Sequence, residues 1–334
     1  MKKPKSIFCL GENGSSRIYN KAAIAELQEL TENDGRIVTA QMILESPAKY
    51  ADVEIILSGW GAPKMTEELL DALPSLKAFL YGAGSVRYIV DDAFWKRNIL
   101  LTSAYKANAV PVAEYTTASI VFSLKKAWQH SRALHAGINP GATLQTPGVY
   151  IGSRVGIISL GAIGQLVCEK LSHFDIDVLA YDPFADDAVF EECAAKRIDD
   201  LKTLFSTCDV VSLHAPWLPE TEGIITRDLL RSMPKGGTFI NTSRGAIVDE
   251  SSMIQVLQER SDLFAIIDVI TDEPGYEKSP LATLPNVFLT PHIAGSTGNE
   301  CHRMGAMVVE ECRNFLSGLP PVTPVTQESI QRMA

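Results

Sequence analysis

No apolar run in the 334 residues approaches the roughly 18 that a membrane-spanning helix needs, so the sequence predicts no span. Cysteine is scarce and carries no pattern. Cys9, Cys168, Cys193, Cys208, Cys301 and Cys312 form no CxxC pair and no ligand spacing, which argues against a metal site and predicts buried free thiols in a reducing compartment. Positive charge is also short. With 30 Lys and Arg against 40 Asp and Glu, the net charge is −10, which argues against nucleic acid or an anionic membrane as the main partner. The basic opening is followed by an apolar segment, Ser6–Leu10, too short for a signal peptide, so a cytoplasmic location is expected.

What remains has the make-up of a globular protein, 46% apolar and 21% charged, with length for two domains at about 150 residues each. Short apolar runs at Ser6–Leu10, Val53–Ser58, Leu76–Tyr81 and Asn98–Thr102 alternate with amphipathic stretches such as Tyr19–Leu30, Thr66–Leu73 and Asp91–Arg97. A second series runs through Arg154–Ile158, Asp177–Tyr181, Asp209–Leu213, Gly237–Asn241, Phe264–Val269 and Asn286–Thr290, with helical patterns between most of them. Such alternation predicts parallel sheets covered on both faces. The fold class is α/β with two doubly wound domains, a Rossmann-type one and a smaller flavodoxin-like one. Residues 297–334, opening on a helical pattern, are assigned back to the first domain. The expected division is 1–105 plus 297–334, and 106–296. Ala109–Ala136 predicts one long helix, and Gly137–Gly152 an irregular arm. Trp95 and Trp128 sit at helical spacing and read as core or interface residues. Hinges are expected near Ala104–Asn108 and Ala294–Gly298.

The segment Val155–Gly164 joins a strand to a helix and carries most of a G-x-G-x-x-G fingerprint, with Ser159 in its first position. Gly161 lets the backbone approach a pyrophosphate, Gly164 lets the helix pack closely on the strand, and the first helical amides face the phosphates. Serine tolerates many turns, so the replacement reads as a mild departure. Asp182 ends the next strand, 21 residues beyond Gly161. An acid at that spacing accepts from the ribose hydroxyls and repels a 2′-phosphate, which points to NAD over NADP.

Three polar residues follow later strands: Arg244, Glu273 and His292. Taken singly, each reads as a solvated charge, a turn residue or a surface side chain. Taken together they suit oxidation of a 2-hydroxy acid. Histidine takes the hydroxyl proton, a carboxylate orients the imidazole, and arginine holds the substrate carboxylate.

With these residues in view, the sequence resembles the D-isomer-specific 2-hydroxyacid dehydrogenase family. Val155–Gly164, Asn241–Gly245, Asp268–Pro274, Pro291–Gly295 and Val112–Thr116 carry the resemblance. It implies catalytic places for Arg244, Glu273 and His292, and pyrophosphate contact at Ala162 and Ile163. It places His214, Ala215 and Pro216 along the adenosine, Asp268 on the nicotinamide carboxamide, and Ser243 and Gly295 near the nicotinamide. It implies substrate-carboxylate binding by the backbone at Ala83 and Gly84, and a homodimer with 109–152 at its interface. Val86 stands where many relatives carry aspartate. Arg87 is a candidate second cation and Trp60 a candidate pocket wall, each also readable as a structural residue. The expected partner is a small anionic 2-hydroxy or 2-keto acid. The alternative is a non-catalytic NAD(H)-sensing protein of the corepressor type. Formate dehydrogenases are a weaker match, since they carry glutamine where Glu273 stands.

Overall fold

The structure is a computed structural model that describes residues 3–139 and 146–333. The chain divides into two compact units, Met1–Asn108 with Ser296–Ala334, and Ala109–Gly295. The first boundary falls inside the helix Tyr105–Leu124.

In the first unit, β1 (Lys5–Phe8), β2 (Val53–Ser58), β3 (Ala78–Tyr81) and β4 (Leu100–Ser103) pair in parallel in that order. Ile37 adds a single parallel bridge to Phe8 on the outer side of β1. Counting that bridge as a vestigial second strand gives the flavodoxin-like order 2-1-3-4-5. Most strand residues are buried, because helices cover both faces. The expected runs miss most strand ends by one or two residues, in either direction, but meet Val53–Ser58.

The second unit holds, among the described residues, β5 (Arg154–Ile158), β6 (Asp177–Tyr181), β7 (Lys196–Arg197), β8 (Val210–Leu213), β9 (Thr238–Asn241), β10 (Phe264–Ile267) and β11 (Val287–Leu289). They pair in parallel in the order β11-β10-β9-β8-β5-β6-β7. Strand order reverses between β5 and β8, which makes the carboxyl ends of these two the switch point where doubly wound sheets bind ligands. The sequence reading had six strands here. It missed β7, two exposed charged residues at the sheet edge, because no apolar pattern marks them. It also missed β12 (Pro324–Val325), which pairs antiparallel with β4 in the first unit. Buried Glu311 fastens the chain before β12 by accepting from the Val322 and Thr323 amides and the Thr323 hydroxyl.

The single long helix expected over Ala109–Ala136 is two helices, Tyr105–Leu124 and Ala127–His135. Lys126 breaks them with a left-handed φ of 50°. Its buried ammonium donates to the Gly236 carbonyl at 2.6 Å, a tertiary bond that periodicity cannot announce. The expected arm at 137–152 lies partly outside the described residues. Next to that gap, Leu134, Ile138, Tyr150 and Ile151 are exposed apolar side chains. All six cysteines are buried free thiols. No helix among the described residues is long and apolar enough to cross a membrane.

Candidate active site

The glycine loop follows β5. Ser159 takes φ 76°, the left-handed conformation for which the fingerprint uses glycine. This corrects the view of Ser159 as a mild departure, since an L-residue pays about 1–2 kcal/mol there. Part of that is offset locally. The Ser159 hydroxyl donates to Asp182 Oδ2 at 3.3 Å and the Leu160 amide to the same oxygen at 2.7 Å. Gly164 has no alternative, because a Cβ there would stand 2.1 Å from the Ser159 carbonyl oxygen. At Gly161 the nearest atom to a Cβ would be Ser159 Oγ at 4.0 Å, so the space in front of the helix Ala162–Leu171 is open. Gly161 is exposed, and Ala162 and Ile163 are partly so. The helix has no side-chain cap, so its first amides are free for an anion. Asp182 ends β6, and its other oxygen accepts from the Phe184 and Ala185 amides. An open glycine turn, uncapped amides and a strand-terminal acid fit a dinucleotide.

At the end of β8, His214 is buried. Its Nε2 lies 2.9 Å from the Ser212 hydroxyl, its Nδ1 has no partner among the described residues, and burial pushes its pKa down to about 3. Ala215 is buried and Pro216 partly exposed. The Ser243 hydroxyl donates to the Ala215 carbonyl, tying the end of β9 to the end of β8.

Arg244 follows β9 and comes close to the loop after β10 because the next residue is glycine. A Cβ on Gly245 would lie 2.1 Å from the Ile270 carbonyl carbon. The guanidinium donates to the Ser243 carbonyl at 2.7 Å. Burial lowers its pKa, and the negative charge of Glu273 partly restores it. His292 Nδ1 lies 2.8 Å from Glu273 Oε2, with the side chains 45% and 33% exposed. Imidazole, carboxylate and guanidinium thus cluster in one unit, at the carboxyl ends of β9, β10 and β11.

His292 is itself in left-handed backbone, at φ 54°. The turn that holds it there is built on Asp268, which is fully buried. The Asp268 carbonyl accepts from the His292 amide at 2.8 Å. Its carboxylate accepts from the Thr290 hydroxyl and from the Ile293 and Ala294 amides. Tyr115, on the helix Tyr105–Leu124, reaches Thr290 Oγ1 at 3.0 Å. Tyr276 donates to the Asp268 carbonyl at 3.1 Å, and burial beside the Glu273 carboxylate pushes its phenol well above the usual range. The sequence reading missed Tyr115, Tyr276 and Thr290. Tyr276 lies three residues past Glu273, a proximity that offered a signal; Tyr115 lies within Val112–Thr116, which the resemblance marked without giving this side chain a role.

Residues 118–294 match the family model for the D-isomer specific 2-hydroxyacid dehydrogenase NAD binding domain. The chain belongs to the D-isomer specific 2-hydroxyacid dehydrogenase family. It is 31% identical to a glyoxylate reductase of Thermofilum pendens over 80% of both chains. It is 30% identical to a D-3-phosphoglycerate dehydrogenase of Methanocaldococcus jannaschii over 84% of this chain and 52% of that one. It thus spans about half the length of the phosphoglycerate dehydrogenases it matches. The apo structure of Rhodotorula graminis D-mandelate dehydrogenase shares its fold, with a TM-score of 0.80 and 22% identity over 97% of this chain and 98% of that one.

In the first unit, the segment that the family resemblance marks for substrate follows β3. Ser103 Oγ donates to the Ala83 carbonyl at 3.0 Å and also to the Gly84 carbonyl. A trans peptide sets its N–H opposite its C=O, so the Gly84 and Ser85 amides face away from Ser103. Among the described residues the amides of Ala83, Gly84 and Ser85 have no acceptor. Ala83 is fully buried and Gly84 and Ser85 are partly exposed, so the loop presents a row of open donors that suits an anion. Val86, in place of the aspartate of many relatives, is buried in the core of this unit. Arg87 is exposed and already engaged in an interaction. Trp60 is partly buried against the core, with the Arg17 guanidinium 4.7 Å above its ring. Trp95 packs edge-on against Phe94, and in the second unit Trp128 stacks on Phe288.

Proposed function

We propose that this chain is an NAD-dependent dehydrogenase of D-2-hydroxy acids, working as a 2-keto acid reductase when NADH is supplied. The His292–Glu273 hydrogen bond of 2.8 Å beside Arg244 carries the reading. A bound nicotinamide dinucleotide supplies the hydride. Gly161, Ala162 and Ile163 hold its pyrophosphate, with Gly164 keeping the helix close. Asp182 meets the ribose, His214, Ala215 and Pro216 line the adenosine, and Ser243 and Gly295 flank the nicotinamide. Asp268 spends three acceptor sites on the His292 turn, which leaves Oδ2 one for the carboxamide.

Arg244 cannot lose its proton and offers a planar fork of donors to the substrate carboxylate and keto oxygen. With Nδ1 of His292 on Glu273, Nε2 is the nitrogen that exchanges a proton. In reduction the imidazolium protonates the keto oxygen while Glu273 steadies the charged ring; in oxidation the neutral ring takes the proton back. The Ala83 and Gly84 backbone anchors the substrate carboxylate. Glyoxylate- and phosphoglycerate-acting relatives fit a small anionic acid as substrate.

NADH consumption with a panel of 2-keto acids tests the reading. Tight NADH binding without turnover on any of them would replace it with a non-catalytic NAD(H)-sensing one. Because Asp182 also braces the glycine loop, Asp182→Ala is read by the NAD to NADP preference rather than by affinity alone. The preference is expected to move toward NADP, and an unchanged ratio would remove Asp182 from ribose selection.

The reading extends to a cytoplasmic homodimer. Buried free thiols suit a reducing compartment, and the exposed Phe122, Leu134, Ile138, Tyr150 and Ile151 supply an apolar face within 109–152. Light scattering at twice the chain mass is expected; a monomer mass would reject the dimer.

A further inference from the structure

The first unit carries a cation that neither its ion pairs nor the reading above uses. The helix Glu12–Ile18 lies across the carboxyl ends of β2 and β3. A Cβ on Gly14 would stand 2.5 Å from the Trp60 carbonyl oxygen, and the Gly11 amide donates to that oxygen at 2.9 Å. A Cβ on Gly59 would stand 2.4 Å from Ile18 Cδ1, and one on Gly82 2.9 Å from Ile18 Cγ2. The end of this helix therefore rests on Gly82, the residue that opens the loop of unpaired amides. Arg17, one residue before Ile18, is exposed.

Its guanidinium sits over the Trp60 ring and pairs with no carboxylate among the described residues. Arg36, Arg97 and Arg313 of the same unit each pair with one, in a chain of net charge −10. A guanidinium held over an indole and bound to no carboxylate keeps N–H donors that can receive an oxyanion.

We propose that Arg17, held by Trp60, is a second substrate anchor, taking a distal carboxylate or phosphate of a 2-keto acid whose first carboxylate sits on the Ala83 and Gly84 backbone. The proposal rests on the dehydrogenase reading for the role of that loop and deepens it by naming the substrate class, a 2-keto acid with a second anionic group. It moves the second cation from Arg87, which is engaged elsewhere, to Arg17.

The test pairs acids that differ only in the distal group: 2-oxobutyrate against 2-oxoglutarate, and hydroxypyruvate against its 3-phosphate. Steady-state rates with NADH are compared for the wild-type chain, Arg17→Ala, Arg17→Lys and Trp60→Phe. At least one acid with the second anionic group is expected to exceed its partner by about tenfold in kcat/KM. Arg17→Ala should raise KM for that acid by a similar factor and leave the monoanion unchanged, while Arg17→Lys and Trp60→Phe retain part of the preference. Which of the two acids responds tells carboxylate from phosphate. Equal rates within both pairs, or an Arg17→Ala loss shared by both members of a pair, would overturn the anchor while leaving the dehydrogenase reading intact. If no acid turns over, that reading fails. The anchor is then judged by calorimetric binding of 2-oxoglutarate and of hydroxypyruvate 3-phosphate. Weaker binding to Arg17→Ala supports it, and equal or absent binding rejects it.

Discussion

Two histidines stand at the carboxyl edge of the seven-stranded sheet, His214 after β8 and His292 after β11, and their surroundings give them opposite chemistry. His214 is buried, with one ring nitrogen on a serine hydroxyl and the other without a partner among the described residues, and burial pushes its pKa down to about 3. His292 is 45% exposed, and its Nδ1 lies in hydrogen-bond reach of the Glu273 carboxylate. One imidazole is open beside an acid; burial holds the other in its neutral form. Strand position alone does not separate them. What does is the acid that the loop after β10 brings to His292, and the turn that brings it.

The largest expected effect breaks the pair functionally. His292→Ala should lower kcat by about 10²–10⁴-fold and leave NADH affinity nearly unchanged; preserved turnover would remove His292 as the proton carrier. The same change at His214 should spare the proton-transfer step. Arg244→Lys comes next, with a loss of about 100-fold in kcat/KM, because an ammonium cannot replace a bidentate fork. Near-normal rates would take Arg244 out of the mechanism.

Tyr276→Phe sharpens the comparison on the side of His292. It removes one of the two donors on the Asp268 carbonyl whose other donor is the His292 amide. A fall in kcat of up to about tenfold at unchanged KM is expected. A fall in stability with kcat intact would make Tyr276 a packing residue only.

On the side of His214 the readout is pH. Its folded pKa lies near 3 and its unfolded value near 6.5, so between these the unfolded chain binds a proton that the folded chain does not. Stability from this residue is therefore lost as pH falls from about 6.5 toward about 3, at up to about 1.4 kcal/mol per pH unit. His214→Gln should flatten that slope in urea titrations, and an unchanged slope would show that other groups carry it.

Much of this was legible in the sequence, for identifiable reasons. The buried parallel strands β5 and β10 announce themselves by continuous apolar runs, and Arg244, Glu273 and His292 by their places after strands. Illegible were features that depend on tertiary contact. The Lys126 break needs the Gly236 carbonyl, β12 needs the exposed edge of β4, and the Tyr115 contact to Thr290 beside the His292 turn joins residues 175 positions apart. The Arg17–Trp60 stack joins residues 43 positions apart, which no local motif records.

Ser159 supplies the smallest effect and a control for His292, since both hold left-handed backbone at the same sheet edge. At Ser159 the side chain contributes one long hydrogen bond to Asp182, so glycine is expected to do as well or better. Relief of about 1–2 kcal/mol of strain is set against about 0.5–1 kcal/mol of added chain entropy and the lost bond. Ser159→Gly should leave the urea midpoint unchanged or slightly raised, whereas Ser159→Ala keeps the strain, loses the bond and should lower it. The parallel change His292→Gly should also spare or raise stability, but abolish turnover. If Ser159→Gly instead lowers stability clearly, the backbone there is not strained and the serine is held by its bond to Asp182. If both glycine variants behave as expected, the strain at Ser159 is incidental to the turn, while the strain at His292 is the cost of presenting an imidazole to Glu273.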